Sequence, residues 1–169
     1  MGTHAYVVNK GSSNVSVIAT ASRTVVATVT VGLTPKGVAV APDGLHAYVV
    51  NKGSNNVSVI ATASNTVVAT ITVGLKPSGI AITPDGTQAY VTNPLSNTVS
   101  VIDTATNTVV GPTIPVGNFP LGINFTLNGK HAYVANGGSG NVSVIRTATH
   151  TVVVTVAVGT TPFGVGIRP

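Results

Sequence analysis

The residues that could do acid–base or metal chemistry are few in this chain, and they are widely spaced. Its 169 residues include three aspartates, no glutamate, four histidines and no cysteine. Asp43 and Asp85 each lie in a Pro-Asp-Gly turn, where a carboxylate accepts hydrogen bonds from nearby backbone amides. Asp103 lies in no such turn, and no other acidic residue is near it in the sequence. The sequence therefore predicts no pair of carboxylates for acid–base catalysis.

The histidines and serines recur at a fixed spacing instead of gathering in one place. His4, His46 and His131 share one repeat position, so they are spread through the fold and do not converge on one metal. The serines that recur, such as Ser58, favour cross-strand hydrogen bonding over nucleophilic attack. No Ser-His-Asp grouping and no phosphate-binding glycine loop can be assembled. We therefore expect no catalytic residue, no metal, no cofactor and no enzyme activity.

Composition narrows the remaining classes. Only 7% of the residues are charged, and the net charge of +5 comes without any run of lysine or arginine. That is a mild attraction for anions, well short of the basic patch of a nucleic-acid-binding protein. No stretch has the roughly 18 apolar residues of a membrane span, so no membrane insertion is expected. An export signal, if the natural protein has one, is expected to have been removed.

Internal repeats dominate the sequence. The four tyrosines, Tyr6, Tyr48, Tyr90 and Tyr133, each lie in an Ala-Tyr-Val segment, at spacings of 42, 42 and 43 residues. The first two units match at 33 of 42 positions. The predicted organisation is one propeller domain, residues 1–169, with repeats at 4–45, 46–87, 88–130, and 131–169 plus 1–3.

Each unit contains four β segments with period-2 alternation, separated by turn residues. Between Ser78 and Val116 they read SGIAIT, QAYVTN, NTVSVIDT and NTVVGPTIPV. Pro112 and Pro115 fall in the last segment, which we therefore place at the outer edge of its sheet. Tandem four-stranded units of this length predict an all-β fold, a β-propeller of four blades of about 42 residues, each a four-stranded antiparallel sheet.

The motifs YVTN at Tyr90–Asn93, YVVN at Tyr6 and Tyr48, and YVAN at Tyr133 resemble the YVTN-family propeller repeats. VSVIDTATNTVV and GIAITPDG strengthen that resemblance, which covers the whole chain. Such repeats occur in surface-layer and periplasmic proteins, so the resemblance implies an extracellular, cell-surface or periplasmic location. Members usually have about seven blades, whereas this chain encodes four. Fold alone does not fix activity.

The C-terminal segment GVGIRP resembles the first strand of each unit. Aligning Val165–Pro169 with Val38–Pro42 places Met1 just beyond the end of the chain, so the last blade is expected to be closed by N-terminal and C-terminal strands. Two arrangements satisfy this expectation. We favour a homodimer that forms one eight-bladed ring over a self-closed four-bladed monomer, because four blades is the lower limit of known propellers.

The loops on one face offer the best candidate for a ligand or partner surface. The early units place four lysines there, whereas the later units place apolar residues; the set is Lys10, Lys36, Lys52, Lys76, Phe119, Leu121 and Phe163. The ordinary alternative is that the lysines keep a weakly charged rim soluble and the phenylalanines plug the loops.

The function expected from these features is that of a non-catalytic scaffold or binding module, natural or engineered, at a surface and with a protein or glycan partner. Two alternatives stay open. One is single-stranded nucleic-acid binding by the basic face, and the other is a lyase resembling virginiamycin B lyase.

Overall fold

The computed structural model describes residues 3–168, and the regular elements in that range are β-strands. Sheet 1 contains β1 (His4–Asn9), β2 (Asn14–Ala19) and β3 (Thr24–Thr30). Sheet 2 contains β4 (Pro35–Val40), β5 (His46–Asn51), β6 (Asn56–Ala61) and β7 (Thr66–Thr72). Sheet 3 contains β8 (Ile80–Ile82), β9 (Gln88–Asn93), β10 (Thr98–Asp103), β11 (Thr108–Val109) and β12 (Ile114–Pro115). Sheet 4 contains β13 (Pro120–Phe125), β14 (His131–Asn136), β15 (Asn141–Arg146) and β16 (Thr151–Ala157).

Sequential antiparallel pairing builds each sheet, because short turns join neighbouring strands. In each sheet, the hairpin that leads into the outer strand contains one residue in the left-handed conformation. These residues are Arg23, Asn65, Asn107 and His150, with φ between 53° and 58°. Asparagine tolerates this conformation well. His150 is therefore a turn residue, as its place in the repeat indicates. No helix between Thr3 and Arg168 has the length and apolar character needed to cross a membrane.

The outer strand of sheet 3 is broken in two, as its prolines predict. β11 and β12 both pair with β10, and the gap between them contains Gly111 at a φ of 62° and Pro112. Proline cannot donate a backbone hydrogen bond, so it is accommodated only at an edge like this one. The additional residue of the 43-residue spacing is accommodated in this interrupted outer edge.

Neighbouring sheets pack face to face, and the core consists of apolar clusters between them. Val15, Val17 and Val29 of sheet 1 meet Ala47, Val49 and Ile60 of sheet 2. The opposite face of sheet 2 meets sheet 3 in the same way, and sheet 3 then meets sheet 4. Each inner sheet therefore buries both of its faces, whereas sheets 1 and 4 have a neighbour on one side only within the described residues.

The prediction of an all-β fold with four antiparallel, blade-like sheets is confirmed. The closure of the last blade by N-terminal and C-terminal strands stays a prediction, because the structure contains one chain and closure by a second chain was the favoured arrangement. Sheet 1 has three strands, and residues 162–168 form no strand, so the sheet is not closed within the described part of a single chain. Met1, Gly2 and Pro169, to which the predicted closure also refers, lie outside the described residues.

Candidate functional site: the lysine cleft

Two sets of loops meet on one face of the molecule, as the sequence predicts. The loop that follows β5 is bonded to the loop that precedes β4, because Lys52 N donates to Thr34 O (3.1 Å) and Gly53 N donates to Leu33 O (2.9 Å). Sheet 4 repeats the pattern, in which Gly137 N donates to Phe119 O (2.9 Å). These backbone bonds hold the variable loop residues in fixed positions.

A cleft of about 180 Å³ opens between these loops, and we call it the lysine cleft. Its lining residues are Lys36, Lys52, Lys76, Pro94, Leu95, Phe119 and Leu121. The sequence separated a lysine-bearing part of this face from an apolar part. The structure brings both parts to one cleft, because lysines and apolar side chains line it together.

Two of the lining residues adopt an uncommon backbone conformation. Lys76 and Phe119 occupy the same repeat position, and both adopt a left-handed backbone with φ of 53° and 55°. Lys76 N is held by Asn55 Oδ1 at 2.8 Å, and Phe119 N by Asn97 Oδ1 at 2.9 Å. A residue other than glycine pays strain energy to adopt this conformation, so the surrounding structure must impose it.

Lys36 has an unusual electrostatic environment. Burial first, and then the charges of Lys52 and Lys10, lower the pKa of the Lys36 ammonium below its ordinary value. Its Nζ lies 5.7 Å from the centre of the Phe163 ring, within the range of a cation–π contact. No carboxylate is among the residues that line the cleft. The cleft therefore suits an anion with an apolar body.

The predicted site residues thus fall into two groups. Five of them line the lysine cleft: Lys36, Lys52, Lys76, Phe119 and Leu121. Phe163 contacts Lys36, and Lys10 acts on the charge of Lys36, but neither of them lines the cleft. The sequence could not show that burial and the nearby lysines would lower the pKa of Lys36, since both effects depend on how close the loops come.

The acids lie away from this cleft and serve local structure. Asp43 Oδ1 accepts from Leu45 N (2.8 Å), and Asp85 Oδ1 accepts from Thr87 N (3.0 Å) and from the Thr83 hydroxyl. Hydrogen bonds from Thr83 and Thr87 lower the pKa of Asp85. Among residues 3–168, no group of three or more histidine, cysteine, aspartate or glutamate side chains could hold a metal ion.

A second groove, which the sequence did not predict, brings His150 close to Gln88 and Asp85. It has a volume of about 280 Å³, and the His150 Nε2 and Gln88 Oε1 atoms are 3.3 Å apart. The His150 ring also lies edge-on to Tyr90, with 6.0 Å between the ring centres. Because the Asp85 carboxylate is already bonded to its own turn, this groove offers a weaker catalytic constellation than the lysine cleft.

Solved structures match this chain closely in shape. Hydrazine synthase of Kuenenia stuttgartiensis has a TM-score of 0.88 at 31% identity, over 94% of this chain and 47% of its own. A functionally unknown protein from Desulfotomaculum acetoxidans DSM 771 has a TM-score of 0.87 at 22% identity, over 98% and 56%. A protein of Bacteroides uniformis ATCC 8492, described as a "putative 6-phosphogluconolactonase", has a TM-score of 0.80 at 19% identity, over 95% and 53%. The chain spans about half the length of these proteins.

Comparison with curated protein sequences found no match. A family model described as lactonase, seven-bladed β-propeller, matches residues 32–166, which is most of the chain. This match contradicts two expectations drawn from the sequence, namely a non-catalytic scaffold and the absence of enzyme activity. Both expectations depended on the lack of paired carboxylates and of a Ser-His-Asp grouping in the sequence. The chain belongs to the lactonase family of seven-bladed β-propellers.

Proposed function

We propose that this protein takes part in the hydrolysis of an anionic lactone, and that the lysine cleft binds the substrate. The observation that carries the proposal is the convergence of Lys36, Lys52 and Lys76 on one cleft that has no carboxylate among its lining residues. Family membership supports the reaction class. A phosphorylated sugar lactone has the matching chemistry, and the Bacteroides uniformis protein is described in terms of such a substrate.

Two kinds of lining residue would share substrate binding. The Lys52 and Lys76 ammonium groups would attract the anionic substituent, because unpaired cations in a partly desolvated cleft favour an anion. Phe119 and Leu121 would contact the carbon face of the lactone ring. This division of roles explains why the two parts of the face differ in residue type although the repeats are otherwise alike.

Lys36 would act as the general base, because it is the lysine whose ammonium form is destabilised. Its neutral amine would take a proton from water as the water oxygen bonds to the lactone carbonyl carbon. A neighbouring ammonium would stabilise the oxyanion. The bond from the carbonyl carbon to the ring oxygen would then break, and the proton held by Lys36 would pass to that oxygen, so that a hydroxy acid is released.

The direct test follows ring opening of 6-phosphogluconolactone and of uncharged gluconolactone by pH-stat titration, with buffer-only rates subtracted. We expect turnover of the phosphorylated lactone and at least tenfold lower kcat/KM for the uncharged one. Rates equal to those in buffer for both lactones would overturn the proposal. Equal rates for both lactones, above those in buffer, would overturn the assigned role of the lysines.

Substitutions of single lysines distinguish the loss of a general base from the loss of a positive charge that binds the substrate. Lys36→Met should lower kcat by about 100-fold, a usual contribution of a general base, and Lys76→Met should mainly raise KM. Lys130→Met removes the same charge from a turn at the other end of the strands, and we expect it to leave both constants unchanged.

The pH dependence tests the protonation state of Lys36. Because its pKa is lowered, the neutral base forms at a pH below the usual lysine range. The kcat/KM value should therefore rise with pH through the pKa of Lys36 in the free enzyme. The Lys36→Met variant should lose that rise. If kcat/KM of the variant depends on pH in the same way as that of the wild type, Lys36 is not the base.

We also propose that the repeats are of the YVTN type and that the protein works outside the cytoplasm. The support is the Tyr-Val-x-Asn strand in every unit and the weakly charged, Thr-rich and Asn-rich surface. Immunodetection in cell fractions of the source organism tests the location. Recovery in the cytoplasmic fraction alone would overturn it.

A further inference from the structure

The hydroxyl of Thr92 links sheet 3 to sheet 4 in the interior of the fold. Thr92 is fully buried in β9, and its Oγ1 donates to Leu121 O of β13 at 2.7 Å. The same oxygen accepts from Gly79 N at 2.8 Å. A Cβ on Gly79 would collide with Leu121 O, so the two sheets approach closely at this point. The hydroxyl therefore satisfies a donor of one sheet and an acceptor of the next.

No other unit has a hydroxyl at this repeat position. The counterparts of Thr92 in the other sheets are Val8, Val50 and Ala135. Because Val50 occupies the same place in β5, a blade forms without this side-chain bond. The bond from Thr92 to Leu121 is thus additional to what the repeat requires.

Gly137 leaves room for the Leu121 side chain. A Cβ on Gly137 would lie 2.9 Å from Leu121 Cδ1, closer than the optimal separation of two carbon atoms. At the same repeat position the other units have Lys10, Lys52 and Pro94. The carbonyl of Leu121 is bonded to Thr92 and its side chain packs against Gly137, so two independent contacts fix where this residue lies.

Leu121 also differs from the residues at its own repeat position, and it lines the lysine cleft. Its counterparts are Lys36, Ser78 and Phe163. Three differences from the repeat therefore coincide at one point of the cleft. They are the apolar side chain, the hydroxyl that bonds to its carbonyl and the glycine that makes room for it.

We propose that Thr92 and Gly137 are positioning residues that set the specificity of the lysine cleft, by holding Leu121 against the carbon face of the lactone. The inference rests on the proposed function, because it concerns the same cleft. Thr92 is fully buried and neither residue is among those that line the cleft, so both act through Leu121. A displaced Leu121 weakens the contact with the ring and leaves the proton transfer at Lys36 in place. The loss therefore falls on KM and spares kcat.

Kinetics with 6-phosphogluconolactone test the role of the Thr92 hydroxyl. Thr92→Val keeps the shape of the side chain, and we expect KM to rise about tenfold with kcat unchanged. Thr92→Ser keeps the hydroxyl and should restore the wild-type KM. Thr104→Val is the matched control, because it removes a hydroxyl that donates to Gly86 O (2.6 Å) at the other end of the strands. A wild-type KM in Thr92→Val, or the same rise in Thr104→Val, would overturn the proposal.

Gly137→Ala tests the side-chain contact without removing a hydrogen bond. The added methyl group should displace the flexible end of Leu121 and raise KM, again with kcat unchanged. Gly11→Ala is the control, since no atom lies within 4 Å of a Cβ at that position. An unchanged KM in Gly137→Ala would contradict the assigned role of Gly137.

Amide hydrogen exchange, followed by NMR, distinguishes failure of this inference from failure of the proposed function. Phe119 N is bonded to Asn97 Oδ1, close to Leu121 in the chain, and we expect its exchange to become about tenfold faster in Thr92→Val. Lys76 N makes the equivalent bond to Asn55 Oδ1 and should keep its rate. Unchanged exchange at Phe119 would overturn the positioning role, whether or not the wild type hydrolyses the lactone. Faster exchange at Phe119 in a protein that hydrolyses no lactone would support that role and overturn the proposed function.

Discussion

β1 and β5 are identical in sequence, yet their surroundings differ. In β5 the five residues after His46 are buried, whereas in β1 no residue is buried to that degree. The difference arises from neighbours, because β5 has a strand on each edge and a sheet on each face. Among residues 3–168, β1 has a neighbouring strand on one edge and a neighbouring sheet on one face only.

That comparison shows what stabilises a repeat fold of this kind. The strand sequence supplies alternation and β-propensity, but the apolar burial that stabilises it comes from the adjacent repeats. The same substitution at matching positions of β1 and β5 should therefore lower the free energy of unfolding by different amounts. The size of the difference measures how much the missing neighbours contribute.

The largest difference is expected for Val49→Asp and Val7→Asp. Val49 is fully buried between sheets 1 and 2, so a carboxylate there has no partner and should cost more than about 4 kcal/mol. We expect that variant to be unfolded or insoluble. Val7→Asp should remain folded, because its side chain reaches solvent in a single copy. Circular dichroism during heating measures both effects, and equal loss of structure in the two variants would refute the comparison.

A smaller difference is expected for Asn51→Ala and Asn9→Ala. Asn51 Nδ2 donates to Asn56 Oδ1 (2.8 Å) and to Ser58 Oγ (2.9 Å), and its side chain is fully buried. Asn9 makes the same two bonds but is partly exposed, so water can replace them. Asn51→Ala should cost about 2 kcal/mol and Asn9→Ala less than about 1 kcal/mol.

Urea unfolding measures these two costs, and Asn136→Ala provides the matched control. Asn136 is fully buried and makes the equivalent bonds to Asn141 and Ser143. It should therefore behave like Asn51→Ala. A cost for Asn9→Ala equal to that of the two buried positions would contradict this prediction, because it would mean that the Asn9 side chain is as well covered in solution as those of Asn51 and Asn136.

The sequence predicts most of this fold because the same pattern of strands and turns is repeated four times. Period-2 alternation, Pro-Asp-Gly turns and the two prolines of the split edge each have a local cause, so strand order follows from them. The lysine cleft was predicted only as a set of residues, because its walls come from different repeats. The lactonase family was not predicted, because the sequence contains no paired carboxylates and no Ser-His-Asp grouping from which a hydrolase would be inferred.

The smallest difference extends the comparison from β5 to β9, whose tyrosines share a repeat position. The Tyr48 hydroxyl bonds to Asn107 Oδ1 at 3.1 Å, whereas the buried Tyr90 hydroxyl has no partner among the described residues. Burial raises the pKa of Tyr90 to about 12. Tyr48→Phe should lower the free energy of unfolding by about 1 kcal/mol. Tyr90→Phe should leave it unchanged or raise it, because the removed hydroxyl is buried without compensation. Urea unfolding at pH 7 measures both, and an equal loss for the two variants would mean that the Tyr90 hydroxyl has a partner in solution.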